Sequence, residues 1–171
     1  MYHESPAIGV IVGLMSAEQR LQELGIELPP PMQIGSLPFR LVRTEPGRAM
    51  IAGHIALDAE GRIAKPLGKV GAEVTPEEGY AAARGCALAM LTSIRNELGS
   101  LDRVARWLRV FGMVNAAPGF NALPGVINGC SEVLIEVFGD DVGAHARSAI
   151  GVAELPFGAP VEIEAEIAIL D

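Results

Sequence analysis

The sequence predicts an α+β protein, a two-layer ββαβαββ sandwich with both helices on one face of a mixed five-stranded sheet, preceded by a short helix. Three observations predict it. Segments 75–99 and 121–138 repeat apolar residues at spacings of three and four, the period of an amphipathic helix. Five other segments are rich in β-formers, and the last, 161–170, sets Val161, Ile163, Ala165, Ile167 and Ile169 on one face and Glu162, Glu164 and Glu166 on the other. Two helices cannot cover both faces of five strands, so they share one face and leave the other to solvent or to further subunits. At 171 residues, half of them hydrophobic, the chain suits one compact domain rather than a disordered segment.

Residues 7–15 form an apolar run of nine, far short of the ~20 a membrane span needs and without a basic flank for a signal peptide. Met15 stands directly before a helix start, so it reads as a natural first residue with 1–14 as an upstream extension; the alternative is that 8–12 adds an edge strand. Ser16 with Gln19 forms a capping box and Gly25 a stop, which predicts a short helix over 17–24. Pro29, Pro30 and Pro31 then impose an extended linker. The expected organisation is an N-terminal extension over 1–36 and a main domain over 37–171.

Segments 39–44 and 48–57 read as strands joined by a turn at Glu45-Pro46-Gly47, where proline presets φ and glycine accepts a positive one. Asp58-Ala59-Glu60-Gly61 turns the chain again. Thr75-Pro76-Glu77-Glu78 is the strongest local signal: Thr75 caps, Pro76 fits the first helical position, and Glu78 closes the box near the positive end of the helix dipole. Tyr80, Ala83, Ala87, Leu91, Ile94 and Leu98 form its apolar stripe, and Gly99 ends it. A strand over 104–114 follows, then the helix over 121–138, stopped by Gly139. Strands over 147–155 and 161–170 flank a loop at 156–160.

Composition excludes several function classes. The net charge of −8 repels phosphate backbones, and 5% aromatics give no stacking platform for single strands, so no nucleic-acid partner is expected. No membrane partner is expected either. Two cysteines, Cys86 and Cys130, make neither a disulfide scaffold nor a zinc site, fit a reducing cytoplasm, and read as buried helix residues. The chain lacks a phosphate-binding glycine loop, a paired-histidine metal motif and a nucleophile elbow. No metal is expected.

One stretch carries chemistry. His145-Ala146-Arg147-Ser148-Ala149 leads through Leu155-Pro156 into Val161-Glu162-Ile163-Glu164-Ala165, with Arg147 and Glu162 fifteen positions apart. This resembles the signature of the RidA (YjgF-like) reactive-intermediate deaminase family, which shows an Arg-Ser stretch, Leu-Pro, and an alternating Glu-bearing strand at that spacing. Upstream, Met50-Ile51-Ala52-Gly53-His54 resembles the family's apolar strand ending in Ser-Gly-Gln, and Asn128 fits an asparagine opening its second helical segment. The resemblance covers about 37–171 and is closest to a divergent subgroup labelled as endoribonucleases.

The resemblance implies a chorismate-mutase-like fold, a homotrimer with ligand clefts between subunits, and no cofactor. It implies that Arg147 clamps a substrate carboxylate while Glu162 positions the water that converts a 2-imino acid to a 2-oxo acid and ammonia. A guanidinium offers carboxylates a rigid two-donor fork, and a carboxylate in reach of water serves as a general base. The partner is therefore a small carboxylate-bearing metabolite. Phe39, Ala52, Gly53, His54, Asn128 and Ala149 are the corresponding cleft positions. Phe39 stands where the family has a tyrosine, Ala52 for a serine, His54 for a glutamine and Ala149 for a cysteine, so hydroxyl and thiol groups are lost. His145, two residues before Arg147, shares its strand face if the strand starts that early, and either lines the cleft or is an ordinary polar surface residue. Glu164 and Glu166 are read as a solvated row. Three functions compete: an imine or enamine deaminase, a non-catalytic trimer that binds a small carboxylate, and an endoribonuclease or translation inhibitor, which the charge opposes.

Overall fold

The structure, a computed structural model, describes residues 15–170. The suggested strand at 8–12, along with His3, lies outside them. The elements are α1 (Ala17–Glu23), β1 (Val42–Glu45), β2 (Arg48–His54), α2 (Pro76–Leu98), β3 (Val104–Asn115), α3 (Leu123–Gly143), β4 (Ala146–Val152) and β5 (Val161–Ile169). The strands form one sheet in the order β1-β2-β5-β3-β4. β3 and β4 run parallel across the α3 crossover, and the other neighbours are antiparallel. The ββαβαββ order and the mixed sheet are as predicted.

Local chemistry explains the boundaries. Ser16 and Gln19 close the box on α1, and Thr75 and Glu78 close it on α2 with Pro76 just inside. Gly99 ends α2 in the left-handed conformation. Gly139 kinks α3 instead of stopping it: its φ of 72° breaks the helix, which resumes to Gly143. The segment expected as a strand from 39 begins only at Val42, because 36–41 turns and bends before joining the sheet. β2 ends at His54 rather than 57, where the register with β5 shifts between Ile51 and His54. β4 similarly ends at Val152 rather than 155.

Both helices lie on one face of the sheet, α2 over β2 and β5 and α3 over β3 and β4. Val161, Ile163, Ala165 and Ile167 of β5 are buried under them. Trp107 is buried in the same layer, edge-on to Phe138 with ring centroids 5.8 Å apart. α2 and α3 approach closely at Gly129, where a Cβ would strike the Tyr80 carbonyl. α1 is tied to this body: Leu21 is buried, and Glu18 pairs with Arg95 at 2.6 Å and accepts from the Leu101 amide at 3.0 Å. Among the described residues no helix is long and apolar enough to cross a membrane.

Among the described residues the opposite face of the sheet carries no helix. Glu162, Glu164 and Glu166 project there from β5, beside Arg109 and Phe111 of β3, whose guanidinium and ring lie 5.1 Å apart. Met50 and Ile150 are exposed.

Candidate functional site

Glu162, the second residue of β5, sits in an open cavity of about 420 Å³. The wall is mostly apolar, with Phe39, Leu37, Ile55 and Phe157 prominent and Gln33 as the other polar side chain. The β-bulge at 52–53 brings Gly53 against Glu162, and a Cβ at position 53 would land on the carboxylate. Burial raises the Glu162 pKa above the usual carboxylate range, and the neighbouring Glu164 charge raises it further. The rest of the row is occupied otherwise. Glu166 pairs with Arg48 and Glu164 faces Arg109 at 3.9 Å, while Glu162 has no cationic partner among the described residues. A partly desolvated carboxylate with raised proton affinity takes up a proton more readily than a solvated one, which suits it to accept and return one.

Arg147 occupies a different place. It lies on edge strand β4, on the face that meets the helices, because its register partner Val110 and that residue's partner Ala165 are both buried there. Its Nη1 donates to Asn128 Oδ1 and to Ser131 Oγ, each at 2.9 Å, and its Nη2 donates to the Pro124 carbonyl at 3.4 Å. Among the described residues no carboxylate neutralises it, and Nε–H and one Nη2–H are unbonded. Unbonded guanidinium N–H groups are donors that a carboxylate can take up. Ser131 extends the network: its hydroxyl donates to His145 Nε2 at 3.0 Å, and His145 Nδ1 donates to the Gly143 carbonyl at 2.7 Å. Burial lowers the His145 pKa, and the Arg147 charge lowers it further, so the ring is neutral and suited to accept from Ser131.

The predicted residues thus divide into two groups. Phe39, Gly53 and Glu162 share the cavity, while Asn128, His145 and Arg147 share the β4 patch. Asn128 caps no helix: it lies inside α3 and orients Arg147. Ala149, on the same strand face as Arg147, packs partly buried against the core. Ala52 opens instead into a neighbouring groove with Arg40, Arg109 and Phe111. His54 is a correction. It is buried between sheet and α2, its Nδ1 donating to the Ala52 carbonyl at 2.7 Å and its Nε2 accepting from Ser93 at 2.8 Å. Burial lowers its pKa, and with both nitrogens engaged it has nothing left for a ligand. The thiols are buried as expected, and desolvation pushes Cys130 up to about 12.

Glu162 and Arg147 do not meet within one chain. Glu162 pairs with Met113 and Arg147 with Val110, so they stand two strands and three residues apart on opposite faces. Strand spacing and rise put their Cα atoms about 14 Å apart. Sequence reasoning missed Ser131, which couples Arg147 to His145, and missed the cavity wall formed by 32–39 and Phe157. The apolar Met32, Ile34 and Leu37 after the proline run were the available signal. Among the described residues no cluster of three or more His, Cys, Asp or Glu is placed to hold a metal ion.

Comparison with known proteins agrees with the fold. Protein TCP17 of Trypanosoma cruzi is 49% identical over 98 residues, 57% of this chain and 61% of that protein, so the match spans less than two thirds of the relative's length. The crystal structure of Atu1372 from Agrobacterium tumefaciens, a protein of unknown function, is 34% identical over 90% of this chain and 92% of that one, with a TM-score of 0.81. A protein from Shewanella oneidensis MR-1 described as a putative endoribonuclease shares the fold at a TM-score of 0.84 and 24% identity, covering 91% of this chain and 100% of that one. The family model described as "YjgF/chorismate_mutase-like, putative endoribonuclease" matches residues 18–161, from α1 to the start of β5, and the chain belongs to that family.

Proposed function

We propose that the protein is a cytoplasmic hydrolase of reactive 2-imino or enamine acids, working without a cofactor at clefts between three identical subunits. The observation that carries this reading is Glu162, a carboxylate with raised proton affinity and no cationic partner among the described residues, seated against Gly53 in an apolar cavity while its row-mates are paired. Arg147, held by neutral acceptors and with N–H donors left unbonded among the described residues, supplies the carboxylate clamp. Because one chain keeps the two apart, a cleft holding both requires a second copy. The helix-free sheet face, with Met50, Phe111 and Ile150, is the surface such copies would bury.

The chemistry is balanced. Glu162 takes a proton from water as the water oxygen bonds to the imine carbon, and that proton passes to the nitrogen. The proton of the new hydroxyl then moves to the nitrogen as the C–N bond breaks, ammonia leaves, and a C=O bond forms. Each imino acid consumes one water and yields one 2-oxo acid and one ammonia. Positioning of a labile imine contributes much of the effect.

A second reading keeps the trimer and removes catalysis. It is favoured by Phe39, which offers the cavity a ring without a hydroxyl. Imino acids generated in situ by an amino-acid oxidase, with ammonia release followed, separate the two. The hydrolase reading expects a rate above buffer that Glu162→Gln lowers by about 10²–10⁴-fold. Equal rates for wild type, Glu162→Gln and buffer would favour the binding trimer. An endoribonuclease is disfavoured by the −8 charge and the acidic row.

A further inference from the structure

The Glu162 cavity is walled by segments that lie outside the sheet and helices. One wall is the arm over 32–39. It is anchored upstream, where Thr92 of α2 donates to the Pro29 carbonyl at 2.9 Å and the Pro30 ring lies over Gly61. The arm then folds on itself, the Leu37 amide donating to the Ile34 carbonyl at 3.1 Å and the Phe39 amide to the Leu37 carbonyl at 2.9 Å. The facing wall is Phe157, held at φ 60°, a conformation that no other non-glycine among the described residues adopts. Its loop is clamped: the Gly68 amide donates to the Gly158 carbonyl at 2.8 Å, and Asn115 Nδ2 donates to the Ala159 carbonyl at 3.3 Å. Lys69 Nζ reaches the Ala153 carbonyl and Asn115 Oδ1.

These walls expose large apolar side chains toward a space that holds one carboxylate. Leu37 is 57% exposed and Phe157 73%. A cavity of about 420 Å³ lies in the range that encloses a drug-sized ligand, whereas a three-carbon acid would leave most of the wall in water. A left-handed phenylalanine is an unfavoured backbone state, and its ring stands where a substrate side chain would cover it.

We propose that the site selects 2-imino acids with large aliphatic or aromatic side chains, and that the arm over 32–39 together with Phe157 reads that side chain. This rests on the imine-hydrolase reading above. Each methylene buried against such a wall favours binding by about fourfold, so discrimination over an alanine-derived imine should reach tenfold or more.

The test is a side-chain series. Imines generated from alanine, 2-aminobutyrate, leucine and phenylalanine are assayed for kcat/KM with wild type, Leu37→Ala and Phe157→Gly. Both variants change exposed residues, and glycine accepts the φ of position 157, so the loop is kept while the ring is lost. The expected result is at least a tenfold rise from the alanine- to the leucine- or phenylalanine-derived imine, flattened in both variants. Equal or better turnover of the smallest imine, or an unchanged slope in both variants, overturns the proposal and leaves the hydrolase reading standing. If no imine is hydrolysed, the hydrolase reading fails, and calorimetry with pyruvate, 2-oxobutyrate, 4-methyl-2-oxopentanoate and phenylpyruvate decides selection alone. Affinity rising with side-chain size in wild type and flattened in the variants supports it. Flat or absent binding overturns it.

Discussion

Gly53→Ala should leave a folded protein that has lost most of its activity. Position 53 lies in β2 and is absent from the positive-φ positions, so alanine fits its backbone and reduces the freedom of the unfolded chain, a gain of about 0.4–1 kcal/mol. The cost falls on Glu162. The new methyl carbon would stand 2.8 Å from Glu162 Cδ and 3.1 Å from Cγ, and nearer still to Oε1, where ordinary contacts begin at 3.4 Å. The carboxylate must therefore move, by at least about half an ångström at Cδ and further at the oxygen that would hold water. Misplacement of a catalytic group by about 1 Å costs around 10²-fold, or about 2.7 kcal/mol of transition-state stabilisation. Ammonia release from a leucine-derived imine would show kcat/KM down about a hundredfold, with urea unfolding unchanged or slightly strengthened. A folded Gly53→Ala enzyme within twofold of wild type would refute the placement of Glu162 as the working carboxylate.

Four further outcomes follow from the same geometry. The acid limb of kcat/KM should lie above the ordinary carboxylate range, because Glu162 must be ionised and burial raises its pKa; Glu164→Gln, removing the second cause, should shift that limb to lower pH. The same raised pKa stabilises the folded state below the usual glutamate pKa and loses that contribution as pH rises through the raised value. Glu162→Gln should therefore unfold at higher urea than wild type at pH 7, with the gain vanishing near pH 4; a gain that grows in acid contradicts the shift. Arg147→Ala should weaken 2-oxo acid binding by about 2–4 kcal/mol in calorimetry while the fold is kept, and unchanged affinity would make Arg147 structural. Cys86 and Cys130 should resist thiol reagents until the protein is denatured, since both are buried and Cys130 is pushed up to about 12; rapid native labelling would contradict that burial.

The elements legible in the sequence were those whose signals are local. The Thr75 box, Pro76 and Gly99 marked α2 because each acts on its own helix end. The period-2 pattern of β5 gave its buried face directly, since alternation is a property of one strand. What escaped depended on contacts distant in sequence. The bulge at 52–53 exists because β2 must pair with β5, more than a hundred residues on, and it turns Gly53 toward Glu162 while His54 faces Ser93 in the interior. Arg147 and Glu162 look adjacent at fifteen residues, yet β3 inserts between their strands and puts them on opposite faces. The proline run read as a spacer; Thr92 and Gly61 convert it into the anchor of a cavity wall.

The central claim is that a working cleft takes Glu162 from one chain and Arg147 from another. Subunit mixing tests it most directly. Arg147→Ala and Glu162→Gln, each expected to be strongly impaired alone at low substrate, are unfolded together in equal amounts and refolded, and imine hydrolysis is measured at that substrate level. In a closed ring with random assembly, about a quarter of the clefts would receive an intact Glu162 and an intact Arg147, so about a quarter of wild-type activity should return. If the mixture forms mixed oligomers and stays as inactive as its parents, the two residues do not serve one shared cleft.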